Sequence, residues 1–247
     1  VCMRQFLDKV RKKAENPADA SPLLLAFLGD SVTHGCFEIV EKSGGRIDCI
    51  YDHEAVYPNR LKKKIETIFP NCPVGILNAG ISGGSAWQGA ERVQRDVIAA
   101  HPDVAVVCFG LNDAGGGEDG LPVYRDSLRS IFRQLKEAQI AAVFMTPNMM
   151  CRYVSPQLSG DWIISAAKGA VSTQEGGFMD RYMQAAREVC RQEGVLVCDC
   201  YADWKRLEAL GADVTWLLSN HINHPTREMH ELFASRLFET IFLKPEG

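Results

Sequence analysis

Short apolar runs alternate with longer amphipathic stretches along this chain. Because each run is rich in Val, Ile, Leu or Phe, we predict five β-strands: Leu23–Leu28, Val74–Asn78, Val104–Phe109, Ile140–Thr146 and Val195–Cys200. Apolar residues at helical spacing predict helices near residues 54–69, 86–100, 122–139 and 177–193, and a further helix from about Arg227. The pattern indicates an α/β protein.

Strands that alternate with helices favour a parallel sheet with helices on both faces. With right-handed crossovers as the default, we predict a three-layer α/β/α sandwich whose central parallel sheet has about five strands in a flavodoxin-like order. No repeat, low-complexity tract or linker interrupts the pattern, so we interpret residues 1–247 as a single domain.

Two segments are longer than ordinary connections between strands and helices. Residues 36–53 follow the first strand, and residues 147–176 follow the fourth strand and contain several aromatic and apolar side chains, among them Trp162. Long insertions at the carboxyl edge of a sheet commonly carry function or shape a pocket. We give equal weight to that role and to a lid packed for stability or a contact between subunits.

Composition excludes some classes of function. The 247 residues carry a net charge of −4, with 46% hydrophobic and 23% charged residues, which is typical of a globular protein without a nucleic-acid footprint. No apolar stretch is long enough to span a bilayer. The nine cysteines form no CxxC pair, which favours a reduced, cytoplasmic chain. Because the sequence begins with Val1 rather than Met, a preceding segment is left open.

Four polar blocks stand at or after the ends of apolar runs. They are Gly29-Asp30-Ser31, residues 78–85 (NAGISGGS), residues 110–113 (GLND) and residues 220–225 (NHINHP). In a parallel sheet the first three blocks meet at one edge, where open α/β sheets bind their ligands, and a connecting loop can bring the fourth there. Acyl transfer requires a nucleophile, a base and donors for an oxyanion, and these blocks contain all three.

Ser31 by itself has two interpretations. A serine after a strand is a frequent cap for the following helix, but it becomes a nucleophile when a histidine accepts its proton. We favour the nucleophile, because the other blocks supply His224 as a base and glycine and amide groups as hydrogen-bond donors.

Together, the four blocks resemble those of the GDSL or SGNH hydrolase family of esterases and lipases, in the family's order and over most of the chain. The resemblance implies Ser31 as the nucleophile and His224 as the base. It also implies the backbone N–H groups of Ser31 and Gly83, and the side-chain amide of Asn112, as oxyanion donors. The family's architecture agrees with the predicted α/β/α sandwich.

One position departs from the family pattern, which has an acid three residues before the catalytic histidine. His221 stands there in this chain, so it is the candidate for orienting His224. Three arrangements are open: a backbone carbonyl orients His224 in a Ser-His dyad, a carboxylate such as Asp213 supplies the acid, or the site is slow or inactive. We favour the dyad, because the nucleophile, the donors and the base are all present.

The resemblance implies hydrolysis of a carboxylic ester through an acyl-enzyme. We favour a small acyl group such as acetyl, with a carbohydrate as one candidate for the alcohol that carries it. A non-catalytic ligand- or carbohydrate-binding protein on the same scaffold and an acyltransferase are the alternatives. We expect a small-molecule ester as substrate, no nucleic acid and no cofactor. We also expect no metal, because His221, His224 and His230 lack further ligands at a fixed helical spacing. Oligomerisation is left open.

Overall fold

The structure is a computed structural model that describes residues 3–42 and 46–244. In chain order its strands are β1 (Leu23–Gly29), β2 (Cys36–Lys42), β3 (Arg46–Tyr51), β4 (Val74–Gly80), β5 (Val104–Cys108), β6 (Ala141–Met145) and β7 (Leu196–Cys198). The α-helices are α1 (Met3–Glu15), α2 (Ser31–His34), α3 (Tyr57–Ile68), α4 (Ala86–Asp96), α5 (Gly117–Glu137), α6 (Asp161–Glu175), α7 (Phe178–Glu193), α8 (Cys200–Ala209) and α9 (Arg227–Phe238).

Five parallel strands form the central sheet in the order β4-β1-β5-β6-β7. Counted along the chain, they stand in the order second, first, third, fourth, fifth, which is the flavodoxin-like order. Residues 25–28 of β1 are fully buried, because this strand has a neighbour on each side and helices over its faces. The predicted fold class is confirmed.

Two groups of helices cover the sheet. Helix α3 packs against α9, while α5 packs against both α4 and α7. The chain crosses the sheet in one direction from β1 to β4 and in the other direction from β4 onward, so right-handed connections place the two groups on opposite faces. Each helix turns an apolar side to the core, as Leu61 and Ile65 do in α3.

Both long insertions contain regular structure. Residues 36–53 include the antiparallel hairpin of β2 and β3, which forms a separate two-stranded sheet. Residues 147–176 include α6. Neither the hairpin nor α6 shows the continuous apolar run or the strong amphipathic pattern from which the other elements were predicted.

The structure differs from the predicted strand Val195–Cys200 at its C-terminal end. Strand β7 stops at Cys198 because Asp199 caps α8, a helix that the apolar pattern does not predict. The Asp199 carboxylate accepts a hydrogen bond from Ala202 N at 3.3 Å. Helix α1 is a further element outside the predicted set. The other predicted strands and helices are present, with ends that differ by a few residues.

The carboxyl ends of three strands lie side by side. Gly29, at the end of β1, is paired with Gly80 of β4 on one side and with Cys108 of β5 on the other. The polar blocks that follow these strands therefore start from one edge of the sheet. Gly80 permits a close approach there, because a Cβ at this position would lie 2.3 Å from the backbone nitrogen of His34 in α2.

The cysteines within the described ranges are all free thiols, and all of them except Cys49 are buried. The buried thiols act as small apolar groups in and around the core. In the same part of the chain, no helix has the length and apolar character needed to cross a membrane.

Candidate active site

Ser31 and His224 are in direct contact, although they are far apart in the sequence. Ser31 is the first residue of α2, where Asp30 caps the helix by accepting a hydrogen bond from Val32 N at 3.0 Å. The Oγ of Ser31 lies 2.8 Å from Nε2 of His224. Both residues are buried, with 6% and 3% of their surface exposed. The structure thus brings together the two residues that the sequence suggests as nucleophile and base.

The other ring nitrogen of His224 faces a backbone carbonyl. In strand β2, Phe37 is the extra residue of a β-bulge between Cys36 and Glu38, each of which pairs with a residue of β3. The carbonyl oxygen of Phe37 lies 3.2 Å from His224 Nδ1. Because a carbonyl only accepts hydrogen bonds, Nδ1 carries the ring hydrogen and the lone pair of Nε2 faces Ser31. This contact corresponds to the first of the three arrangements considered from the sequence.

Burial keeps the His224 imidazole neutral. Its removal from water lowers the pKa of His224 to about 4, although the Phe37 carbonyl and the negative charge of Glu38 both act to raise that pKa. At pH 7 the ring is therefore uncharged. A neutral imidazole is the form that can accept a proton from a hydroxyl group.

His221, by contrast, does not contact His224. Its backbone is left-handed, with a φ of 53°, and its Nε2 lies 3.0 Å from Oε1 of Gln157. The carboxylate of Asp213 accepts a hydrogen bond from Tyr153 Oη at 2.6 Å. Within residues 3–42 and 46–244, the hydrogen bonds of the His224 ring involve neither of these side chains. The structure therefore gives no support to His221 or Asp213 as the orienting group.

Gly83 and Asn112 line the same cleft as Ser31 and His224. Gly83 has a φ of 76°, and a Cβ there would meet no atom within 4 Å, so the backbone conformation rather than the space favours glycine. The Nδ2 of Asn112 donates a hydrogen bond to Gly84 O at 2.7 Å. Since an amide nitrogen has two N–H bonds, this contact fixes the side chain and leaves one N–H for a ligand.

The cleft beside Ser31 has a volume of about 780 Å³. The β2–β3 hairpin and α6 both contribute to its lining, so both long insertions help to shape it. The α6 residues include Trp162, which is 44% exposed, and Ala166 and Ala170 on the same helix face. The lining is mainly apolar, and Ser31 and His224 are among its polar groups.

The family model that matches this sequence is described as the GDSL-like lipase/acylhydrolase family, and it matches residues 27–232. The chain belongs to the GDSL-like lipase/acylhydrolase family. The matched region contains all four polar blocks, and the family inferred from those blocks is confirmed.

Relatives of this GDSL-like chain include an acetylxylan esterase of Geobacillus stearothermophilus, which is 27% identical over 132 residues. That alignment covers 50% of this chain and 58% of the esterase. A crystal structure of an acetylxylan esterase from the same organism has 21% identity and a TM-score of 0.66, covering 91% of this chain and 96% of that one. A two-domain esterase active on acetylated mannans has 17% identity and a TM-score of 0.68. The superposition covers 98% of this chain and 53% of that esterase. These structures share the fold.

In this GDSL-like protein, Asn220 organises the loop that carries His224. Its Oδ1 accepts hydrogen bonds from the backbone nitrogens of Ile222, Asn223 and His224, at 3.0, 2.9 and 2.9 Å. Such a side-chain-to-backbone turn is typical of asparagine, so the sequence does contain a signal for this role. The role of the Phe37 carbonyl has no such signal, because every residue carries a carbonyl.

Two carboxyl groups of the GDSL-type blocks support the surrounding backbone, the buried Asp30 and the partly buried Asp113. Asp30 caps α2, and Asp113 Oδ1 accepts a hydrogen bond from Ala86 N at the start of α4, at 2.8 Å. Burial raises the pKa of Asp30 to about 7 and that of Asp113 to about 6. Since both carboxyl groups contact backbone N–H groups rather than His224, we interpret them as structural.

Metal-ligating side chains are not clustered in the described ranges, where no group of three or more His, Cys, Asp or Glu could hold an ion. His230 is fully buried, and its Nδ1 accepts a hydrogen bond from Tyr57 N at 3.1 Å. Burial lowers the pKa of His230 to about 3. This histidine therefore belongs to the packed interior beneath α9.

Proposed function

We propose that this protein is an ester hydrolase that forms an acyl-enzyme on Ser31, with His224 as the base. The observation that carries the proposal is the distance of 2.8 Å between Ser31 Oγ and His224 Nε2. A serine hydroxyl becomes an effective nucleophile when a neighbouring group accepts its proton, and the contact with Phe37 O leaves Nε2 in the acceptor form. Membership of the GDSL-like lipase/acylhydrolase family supports the same reaction class.

The reaction can be written from these positions. Ser31 Oγ attacks the carbonyl carbon of the ester while its proton passes to His224 Nε2. The tetrahedral intermediate expels the alcohol, which takes that proton, and the acyl group stays on Ser31. A water molecule then attacks the acyl carbon and gives a proton to His224. Ser31 leaves with that proton, and the carboxylic acid is released.

Three N–H groups are suited to bind the oxyanion that forms in each step: the backbone groups of Ser31 and Gly83, and Nδ2 of Asn112. A donor of this kind contributes about 3–4 kcal/mol to stabilising the transition state. Asn112 carries no charge that titrates, and its contact with Gly84 O fixes the amide before a substrate arrives. Donors that are already oriented need no rearrangement when charge develops.

Among the residues that the structure describes, no carboxylate is hydrogen-bonded to His224. The Phe37 carbonyl holds the required tautomer, but a neutral carbonyl stabilises an imidazolium ion less than a carboxylate does. The charge of Glu38 favours the protonated ring and supplies part of that stabilisation. We infer that the site works as a Ser-His dyad assisted by a nearby charge.

An acetyl group on a carbohydrate is the substrate that the observations favour. One relative is an acetylxylan esterase and one solved structure is an esterase active on acetylated mannans. The exposed indole of Trp162 on the cleft lining offers a flat apolar face to a sugar ring. An ester carried by a sugar would place its small acyl group at Ser31 and its ring along this wall.

The test is acetate release from p-nitrophenyl acetate and from acetylated xylo-oligosaccharides. We expect Ser31→Ala to lower kcat by at least about 10³-fold. Ser127→Ala is the matched control, because Ser127 is similarly buried, with 8% exposed, and its hydroxyl donates to Val123 O of its own helix at 2.7 Å, away from the cleft. This control should keep the wild-type kcat.

Three further outcomes separate the alternatives. An acetyl adduct on the intact protein, absent from Ser31→Ala, supports the acyl-enzyme. Transfer of acetate to an added alcohol in preference to water would instead favour an acyltransferase. Wild-type activity no higher than that of Ser31→Ala would overturn the proposal, and binding of the same oligosaccharides by calorimetry would then favour a carbohydrate-binding protein.

A further inference from the structure

Arg227 connects the loop that carries His224 to the hairpin that carries Phe37. It is the first residue of α9, and its Nε lies 2.9 Å from Asp52 Oδ2, just after β3. Its Nη1 and Nη2 bind the two oxygens of Glu38 in β2, at 2.6 and 3.2 Å. A two-pronged contact of this kind fixes the relative orientation of both partners as well as their distance.

The same guanidinium covers the side chain of Phe37. The Cζ of Arg227 lies 4.4 Å from the centre of the Phe37 ring, within the range of a cation–π contact. The ring of His230 lies 4.7 Å from it, and Phe37 is fully buried. Two residues of α9 therefore hold the aromatic side chain whose own backbone carbonyl faces His224 Nδ1.

These contacts matter because the hairpin is not a strand pair of the central sheet. Strands β2 and β3 form their own two-stranded sheet, and a lone hairpin is only marginally stable. The bulge also leaves Phe37 unpaired with β3. The position of its carbonyl oxygen therefore depends on contacts that the hairpin makes with the rest of the protein, and Arg227 makes three of them, to Glu38, Asp52 and Phe37.

We propose that Arg227 is a positioning residue for His224. By binding Glu38 and Asp52 and covering the Phe37 ring, it holds the Phe37 carbonyl at Nδ1 and so keeps Nε2 free to accept the Ser31 proton. The kinetic consequence rests on the proposed esterase function, whereas the effect on the His224 tautomer does not. Arg227 thus does part of the work that a carboxylate at position 221 would do in the family pattern.

A purely structural role predicts a different result, and Arg236 provides the comparison. Arg236 lies on the same helix and its side chain is 32% exposed, against 34% for Arg227. It also binds two carboxylates, those of Asp203 and Glu239. Loss of either arginine removes a similar set of ion pairs, but only Arg227 contacts the hairpin that orients His224.

The experiment compares Arg227→Gln with Arg236→Gln. We expect Arg227→Gln to lower kcat by about 10- to 100-fold while KM changes by less than about threefold, because a small displacement of a catalytic group affects turnover more than binding. The ¹⁵N resonances of His224 should change from a single Nδ1–H tautomer to a mixture. Arg227→Lys should recover only part of the activity, since an ammonium group cannot bind both oxygens of Glu38 in parallel and also cover the Phe37 ring. Arg236→Gln should keep the wild-type kcat and tautomer.

An unchanged His224 tautomer and kcat in folded Arg227→Gln would overturn the inference, as would an equal loss of kcat in Arg236→Gln. If Arg227→Gln does not fold, the His224 tautomer in Glu38→Gln tests the same idea, because this variant weakens the two-pronged contact with Arg227 and leaves Arg227 on Asp52 and on the Phe37 ring. A mixture of tautomers supports the inference and a single Nδ1–H tautomer overturns it. The tautomer rather than kcat is the readout for this variant, since the charge of Glu38 also favours the protonated ring. Failure of this inference can be told apart from failure of the proposed function. A wild-type protein without Ser31-dependent activity contradicts the proposed function. The His224 tautomer in the variants still decides the role of Arg227 in that case.

Discussion

The rings of His221 and His224 face different partners, although both belong to the loop between α8 and α9. His224 lies between Ser31 Oγ and Phe37 O, whereas Nε2 of His221 lies 3.0 Å from Oε1 of Gln157. The position that carries an acid in the family pattern is thus separated from the site in this chain. In this chain the Phe37 carbonyl, rather than an acidic side chain, contacts His224 Nδ1.

Substitution of His221 by Asp should therefore not restore a triad. Asp tolerates the left-handed backbone at this position, where φ is 53°, so the loop should keep its conformation. We expect kcat for p-nitrophenyl acetate within about threefold of the wild type, as for a substitution away from the reacting groups. A gain of tenfold or more would contradict this prediction, because it would show that a carboxylate here reaches His224.

The activity should be retained far into the acidic range. Burial lowers the pKa of His224 to about 4, and protonation below that pH removes the lone pair that accepts the Ser31 proton. We expect kcat/KM to be level through neutral pH and to fall as the pH drops through about 4. The pH profile is measured with circular dichroism at each pH, so that acid unfolding is separated from titration. A fall centred near pH 6.5 would show that His224 is not shielded from water.

The central sheet could be predicted because buried parallel strands are continuous apolar runs. Leu23–Gly29 is such a run, and the alternation of strands with helices indicates a parallel sheet with helices on both faces. The end of β7 could not be predicted, since the apolar run continues to Cys200 while the Asp199 side chain caps a helix. The β2–β3 hairpin was missed because it is mostly exposed and carries charges on both strands.

The site could be predicted only where side chains carry the chemistry. Ser31, Gly83, Asn112 and His224 follow strand ends or a loop that reaches them, and one cleft contains all four. The Phe37 carbonyl belongs to the main chain, and its direction depends on a bulge that exists only when β2 pairs with β3. No residue type marks such a contact, so it becomes visible only in three dimensions.

Removal of the Asn112 amide should lower turnover strongly. We expect Asn112→Ala to reduce kcat by about 10²–10³-fold with little change in KM, because an oxyanion donor acts mainly in the transition state. Asn71→Ala is the matched control, since Asn71 Nδ2 also donates to a backbone oxygen, Ala14 O at 3.1 Å, but does not line the cleft. Equal kinetics for the two variants would show that Asn112 only anchors Gly84.

The contact between β4 and α2 should make Gly80 intolerant of a side chain. A Cβ at Gly80 would lie 2.3 Å from His34 N, whereas a Cβ at Gly75 in the same strand would lie 3.1 Å from the flexible end of Leu24. We expect Gly80→Ala to lower the free energy of unfolding by at least about 2 kcal/mol, and Gly75→Ala to change it by less than about 1 kcal/mol. Urea denaturation of both variants tests this, and similar midpoints would contradict it.

Asp30 should make the protein less stable as the pH rises. Burial raises the pKa of Asp30 from 3.8 to about 7, so between these values the folded state holds a proton that the unfolded chain has released. Stability from this group is therefore present below pH 3.8 and is lost as the pH rises through about 7. Asp30→Asn keeps the oxygen that caps α2 and removes the titration. Relative to wild type, it should gain stability between pH 5 and pH 8, by at most about 3 kcal/mol, because about two pH units separate pH 5 from the folded pKa. Urea denaturation at the two pH values measures the gain, and a gain that does not grow with pH would show that Asp30 is ionised in the folded protein at both.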